Sequence, residues 1–164
     1  MNPIKTFAFS ILLAAVTVAG AASHLPDPQP LAPGDHALSL QWLQNNNGVG
    51  KARIYRDHGQ LLLDGYQEER YKGELNTMTI KGSIRVISAR ALEFKGTIVT
   101  RISYINEGAP RERKGTFLMK AWGARKFWRM QEMTEPDGQD EVTDYIDLHF
   151  RSQHARALSG RGLQ

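Results

Sequence analysis

The sequence contains no cysteine. That one absence excludes disulfides, thiolate zinc sites, iron–sulfur clusters, cysteine nucleophiles and a lipid-modified N-terminal cysteine. His-x-His, His-Glu-x-x-His, Gly-x-Ser-x-Gly, P-loop and EF-hand patterns are missing too, so no catalytic residue, metal ligand or cofactor is expected. Asp137-Gly138-Gln139-Asp140-Glu141 is acidic, yet it lacks the alternating ligands of a calcium loop and reads as a turn. Beyond the first twenty residues or so, no window carries an apolar stripe of helical period. What is present is enough for one domain: 164 residues, 41% of them hydrophobic, with 15 glycines and a formal charge of +4, can bury a core.

Residues 1–21 read as a signal peptide. Lys5 is the positive flank, Phe7 to Val18 the apolar run, and Ala19-Gly20-Ala21 the small residues of a cleavage site. The run falls short of the roughly 20 residues a membrane span needs. An uncleaved anchor is therefore the lesser reading, and the mature form is expected to have no transmembrane segment. The expected localisation is the periplasm or the exterior. Losing Lys5 lowers the charge to +3, too little to imply nucleic acid. Four prolines between His24 and Pro33 make 22–33 an extended spacer. Residues 151–164, with Arg151, Arg156 and Arg161, read as a flexible basic tail or as a short amphipathic helix against an anionic surface.

Between these ends the dominant period is two. Leu38, Leu40 and Trp42 alternate with Ser39 and Gln41; Met78, Ile80, Ile84 and Val86 repeat the pattern, as do Ile146, Leu148 and Phe150. Asn45-Asn46-Asn47-Gly48, Asp57-His58-Gly59, Asn106-Glu107-Gly108 and Pro136-Asp137-Gly138 punctuate it with turn residues. The pattern predicts an all-β domain over 34–150 with eight strands, near 37–43, 51–56, 60–67, 75–86, 91–105, 112–122, 125–133 and 142–150. Short connections favour antiparallel neighbours and an up-and-down barrel, with a two-sheet β-sandwich as the alternative. A Lys-Gly pair recurs at 72–73, 81–82, 95–96 and 114–115. Glycine inside a strand suits one that bends hard or lets another chain approach, which favours the barrel.

Candidate site residues come from strand parity. Phe127 and Arg129 share one face of the Ala124–Met133 segment, Lys126 and Trp128 the other. Since neither face is purely apolar, an inward Arg129 is expected to stack on Trp42 and pair with Asp144. Trp42, Phe117, Trp128, Arg129 and Asp144 are the candidate ligand-binding residues; a buried polar clasp is the structural alternative for the same cluster. Asp147 and His149 share a face, but one opposite Ile146 and Leu148, so they are expected to point to solvent. Basic residues crowd the strands from Arg111 to Arg129 and interleave with Phe117, Trp122, Phe127 and Trp128. Such interleaving grips anionic polymers, or simply reflects basic residues outside and aromatics inside.

Thr143-Asp144-Tyr145 resembles a short motif of the lipocalins, exported calycin-type barrels of eight strands that bind small apolar ligands. The Gly-x-Trp of the first lipocalin strand is absent, since Leu40-Gln41 precedes Trp42. Lys126-Phe127-Trp128-Arg129-Met130-Gln131-Glu132-Met133, followed by Thr143-Asp144-Tyr145-Ile146-Asp147, also resembles uncharacterised secreted bacterial all-β proteins across about 97–150. That likeness implies no activity. The expected function is non-enzymatic binding of a small apolar or amphiphilic ligand in the barrel interior. The alternative is an interaction or inhibitor module of the cell envelope, whose basic aromatic surface meets an envelope protein or an anionic polymer.

Overall fold

Two tight turns set the register of the first hairpins. His58 and Gly59 lie at φ 45° and 83°, and Lys72 and Gly73 at 49° and 88°. Two successive positive φ values match the right-handed twist of the flanking strands, so each turn folds the chain straight back on itself. In a computed structural model describing residues 31–43, 48–134 and 142–151, eight antiparallel strands close into a barrel in chain order. They are β1 (Gly34–Leu40), β2 (Gly50–Asp57), β3 (Gln60–Tyr71), β4 (Glu74–Ser88), β5 (Ala91–Arg101), β6 (Arg111–Lys120), β7 (Phe127–Met130) and β8 (Ile146–His149). Closure is made by β1 and β8, with Leu38 opposite Leu148 and Leu40 opposite Ile146. The expected signal peptide, most of the spacer and nearly all of the tail lie outside the described residues.

The expected up-and-down barrel, not the sandwich, is therefore the architecture. Three of the Lys-Gly pairs behave as expected of bent strands, in a stricter way than separate bends. Gly82 of β4 faces Gly96 of β5, and Gly96 faces Gly115 of β6. A side chain on Gly82 would overlap the Lys95 carbonyl and lie 2.6 Å from Gly96 Cα. The rings of Phe94 and Phe117, stacked with centroids 6.0 Å apart, fold back over Gly96 and Gly115 and fill the space left open. Lys72-Gly73 is the exception: it is the β3–β4 turn, where glycine supplies a positive φ.

The middle of the barrel is filled. Leu63, Ile80, Phe94, Ile98, Met119 and Trp128 are 1% exposed or less. Apolar side chains thus occupy the middle, where the ligand is expected from the sequence. Towards the end where β3 turns into β4, the inward positions become polar. Glu69 faces Asn76 across β3 and β4, and Thr100 faces Arg111 across β5 and β6. The barrel thus has an apolar two-thirds and a polar end.

Its wall is also uneven. β7 and β8 are four residues each, shorter than their alternating patterns predict, and β6 pairs with β7 only at Met119–Met130 and Lys120–Arg129. Beyond that point Glu132 uses its carboxylate to accept the Leu118 amide at 2.9 Å. A side chain stands where a neighbouring strand would be, and the wall parts.

Candidate functional site

The parting leaves a cleft of about 770 Å³ between the N-terminal half of β6, from Glu112 to Phe117, and residues Gln131–Thr134. Strand alternation turns Arg111, Arg113, Gly115 and Phe117 inward and leaves Glu112, Lys114 and Thr116 exposed on the outer side. Arg113 forms the back of the cleft. Its guanidinium lies over the Phe117 ring, 5.4 Å from the centroid, and one Nη donates to the Glu132 carbonyl. The other, Nη1, is buried without a hydrogen-bond partner among the described residues, 3.9 Å from Asp144 Oδ2.

Asp144 is the hub of the polar end. Its Oδ1 accepts the Trp42 indole N–H at 3.0 Å, and Oδ2 sits 3.9 Å from both Arg111 and Arg113. One carboxylate thus faces two guanidinium groups in a site shielded from water, where both attraction and desolvation are large. Trp42 is delivered by the 3-10 turn Gln41–Leu43 that follows β1. That turn is tied down twice more: Gln67, buried inside β3, accepts from the Leu40 amide and donates to the Leu43 carbonyl, while Gln41 Oε1 accepts the Tyr145 amide. Tyr104 donates to the Trp42 carbonyl at 3.1 Å. Burial first, then the Glu69 charge, raises the Tyr104 hydroxyl above its ordinary pKa, so it stays a donor. A second, shallower recess of about 410 Å³ lies over this turn, between Trp42, Tyr104 and Tyr145.

Of the five sequence candidates, Phe117, Asp144 and Trp42 are joined in one chain of contacts, and the link between them is Arg113. The expected inward Arg129 is corrected. It projects from the outer face, where it grips Asp147 through two hydrogen bonds of 2.7 Å and lies 4.5 Å from the Tyr145 ring centroid. This pairing holds its guanidinium above the ordinary value, against burial that lowers it. Trp128 does face inward, but into the packed middle, with its indole N–H on the Ala89 carbonyl at 3.2 Å. The pair Asp147 and His149 is not solvent-facing either. Asp147 is buried beneath Arg129. The His149 ring meets Ser39 Oγ at 2.9 Å, and burial pushes it below its ordinary pKa against the pull of Asp147. The basic interleaving from Arg111 to Arg129 is thus neither wholly outside nor one surface: Arg113 and Phe117 are inward together.

A model of the PM1083 family matches residues 27–150. The chain is 38% identical over 117 residues to the Pasteurella multocida (strain Pm70) protein named "Uncharacterized protein PM1083", a match covering 71% of this chain and 72% of that one. No solved structure matches.

Proposed function

The chain belongs to the PM1083 family, whose name carries no activity, and we propose that it is an exported, non-enzymatic protein that holds a small amphiphilic ligand in the wall cleft. Lys5, the apolar run to Val18 and Ala19-Gly20-Ala21 support export. The observation that carries the binding reading is the roomy cleft itself, with the Arg113 guanidinium, held against Asp144 and over the Phe117 ring, as the cation at its back. Beside it Phe117 and Met133 supply apolar lining and Thr116 a hydroxyl. Pockets that take small molecules share this pattern of apolar wall and few polar groups. Adding decanoate to isotopically labelled protein is expected to shift amide resonances of Glu112–Phe117 and Gln131–Thr134. Protein from its own host is expected to retain a small molecule in native mass spectrometry. No retained mass together with no localised shifts removes this reading.

An interaction module is the second reading, favoured by the β6 edge. Leu118 directs its amide and carbonyl to the β7 side, so Thr116, Lys114 and Glu112 do the same. Among the described residues no strand pairs with them there. An extended segment of a partner would complete the ladder. Hydrogen exchange separates the two readings, because a partner strand protects the Lys114 and Thr116 amides and an amphiphile in the cleft leaves them exchanging.

A further inference from the structure

The end of the barrel opposite the Asp144 hub carries exposed apolar side chains where a soluble tip would be polar. The β4–β5 hairpin contains a bulge: Val86 pairs with Leu92 and Ser88 with Ala91, leaving Ile87 as the extra residue. The bulge turns Val86 and Ile87 outward, at 39% and 49% exposure. The β6–β7 loop brings Trp122, 57% exposed, to the same end. Two hydrogen bonds fix the loops together: the Ala121 amide donates to the Arg90 carbonyl at 2.9 Å, and the Arg90 guanidinium donates to the Gly123 carbonyl at 2.7 Å. An isoleucine, a valine and a tryptophan therefore stand on one rigid double loop.

The charge on the double loop is mostly basic. Lys120 packs against the Trp122 ring at 5.3 Å, and Arg125 and Lys126 follow in the exposed part of the loop. Arg85 is matched by Glu93 at 2.8 Å, which leaves the loop cations as the unbalanced charge of the double loop. Gly34 begins β1 beside Arg151, whose guanidinium donates to the Pro33 carbonyl. The last fourteen residues contain Arg151, Arg156 and Arg161.

We infer that this end is a docking surface for an anionic phospholipid bilayer. Tryptophan suits the boundary between head groups and acyl chains, because its ring is apolar and its N–H is polar. Ile87 and Val86 add apolar area at the same height, and the loop cations meet the negative surface potential, each contributing on the order of a five-fold gain in partition. Docked this way, the barrel presents its side cleft parallel to the membrane and its polar end away from it. The inference stands apart from the ligand reading: its loops meet the cleft only where the Trp122 indole donates to Gln131 Oε1 at 3.3 Å.

Vesicle co-sedimentation and tryptophan quenching by bromine-labelled lipid test it on the exported form, residues 22–164. Vesicles with phosphatidylglycerol are expected to bind the protein at least ten-fold more tightly than vesicles of phosphatidylcholine alone. Quenching is expected to fall several-fold in Trp122→Phe, because Trp42 is at the far end and Trp128, bonded to Ala89 of the same hairpin, is buried. Arg125→Glu with Lys126→Glu is expected to lower binding at least ten-fold, and Ile87→Ser to lower it several-fold, with melting temperature unchanged. Three outcomes each overturn the inference: equal binding to both vesicles, quenching undiminished in Trp122→Phe, or loop variants that bind like the parent. Binding to a soluble acidic polysaccharide with no quenching in vesicles overturns it as well.

Discussion

The Trp42 indole and the Asp144 carboxylate, 102 residues apart in sequence, are joined by a 3.0 Å hydrogen bond that pins the turn after β1 to the segment before β8. Asp144 also faces Arg111 and Arg113. Asp144→Ala is expected to destabilise the fold by about 3–5 kcal/mol, because two buried guanidinium groups lose their shared carboxylate. Trp42→Phe keeps the charges and loses one hydrogen bond and some packing, for about 1–2 kcal/mol. Urea unfolding monitored by circular dichroism measures both. Equal losses would mean that the bond to Trp42, and not the charge, is what Asp144 contributes.

The glycine row makes a sharper forecast, because its three members differ in the space beside them. Gly82→Ala and Gly96→Ala each drive a methyl group into the backbone of the facing strand. Strands held at hydrogen-bonding distance have no easy way to yield, so both variants are expected to lose upward of about 3 kcal/mol or to fail to fold. At Gly115 the nearest atom is a Phe117 ring carbon at 3.7 Å, an ordinary contact, and Gly115→Ala is expected to cost less than about 1 kcal/mol. Soluble yield and melting temperature check the contrast. A large loss at Gly115 with tolerance at Gly96 would contradict it.

How much of this was readable in advance varies with the kind of signal. The eight strands and their order follow from alternation and turn residues, both local. Asp57-His58-Gly59 announces its hairpin with no knowledge of the rest. The glycines show that strands bend, but not that Gly82, Gly96 and Gly115 lie abreast, since that depends on register summed over three strands. The site was legible in part. Asp144 and Trp42 were placed together on parity. Arg129 reads as their cation because its strand has a mixed face, and parity alone does not say which mixed face is interior. Arg113 carried the better signal: it shares parity with Phe117 and Met119, two certain core residues. It was obscured by lying in a run of basic residues, which ordinarily marks a solvated face. The shortness of β7 and β8, and hence the cleft, arises from Glu132 replacing a strand at Leu118, a tertiary event with no local sign.

Acid is expected to weaken the fold through His149. Burial holds its pKa below the ordinary 6.5, so the unfolded chain takes up a proton more readily than the folded one. At pH above 6.5 both states are neutral at this residue and its contribution to stability is intact. As pH falls below 6.5 towards the folded value, the unfolded state gains and stability declines. His149→Gln keeps a partner for Ser39 without the titration. Its unfolding free energy is expected to fall less steeply between pH 6.5 and 5 than that of the parent. Parallel profiles would show that other groups carry the acid response.

Arg113 and Arg129 offer the most direct test of where function resides, because they are chemically identical and only one reaches the cleft. Arg129→Met strands Asp147, a buried carboxylate that loses two hydrogen bonds, and is expected to cost about 1.5–3 kcal/mol of stability. Decanoate affinity is expected to stay as it was, since the outer face is not part of the cleft. Arg113→Met leaves Asp144 with Arg111 and Trp42, so the stability loss is expected to be smaller, about 1–2 kcal/mol. It removes the cation at the back of the cleft, and affinity is expected to drop about ten-fold, equivalent to about 1.4 kcal/mol. Calorimetric titration and thermal unfolding on the same two proteins give both quantities. If affinity falls with Arg129 and not with Arg113, the ligand meets the outer aromatic face and the cleft is only a seam in the wall.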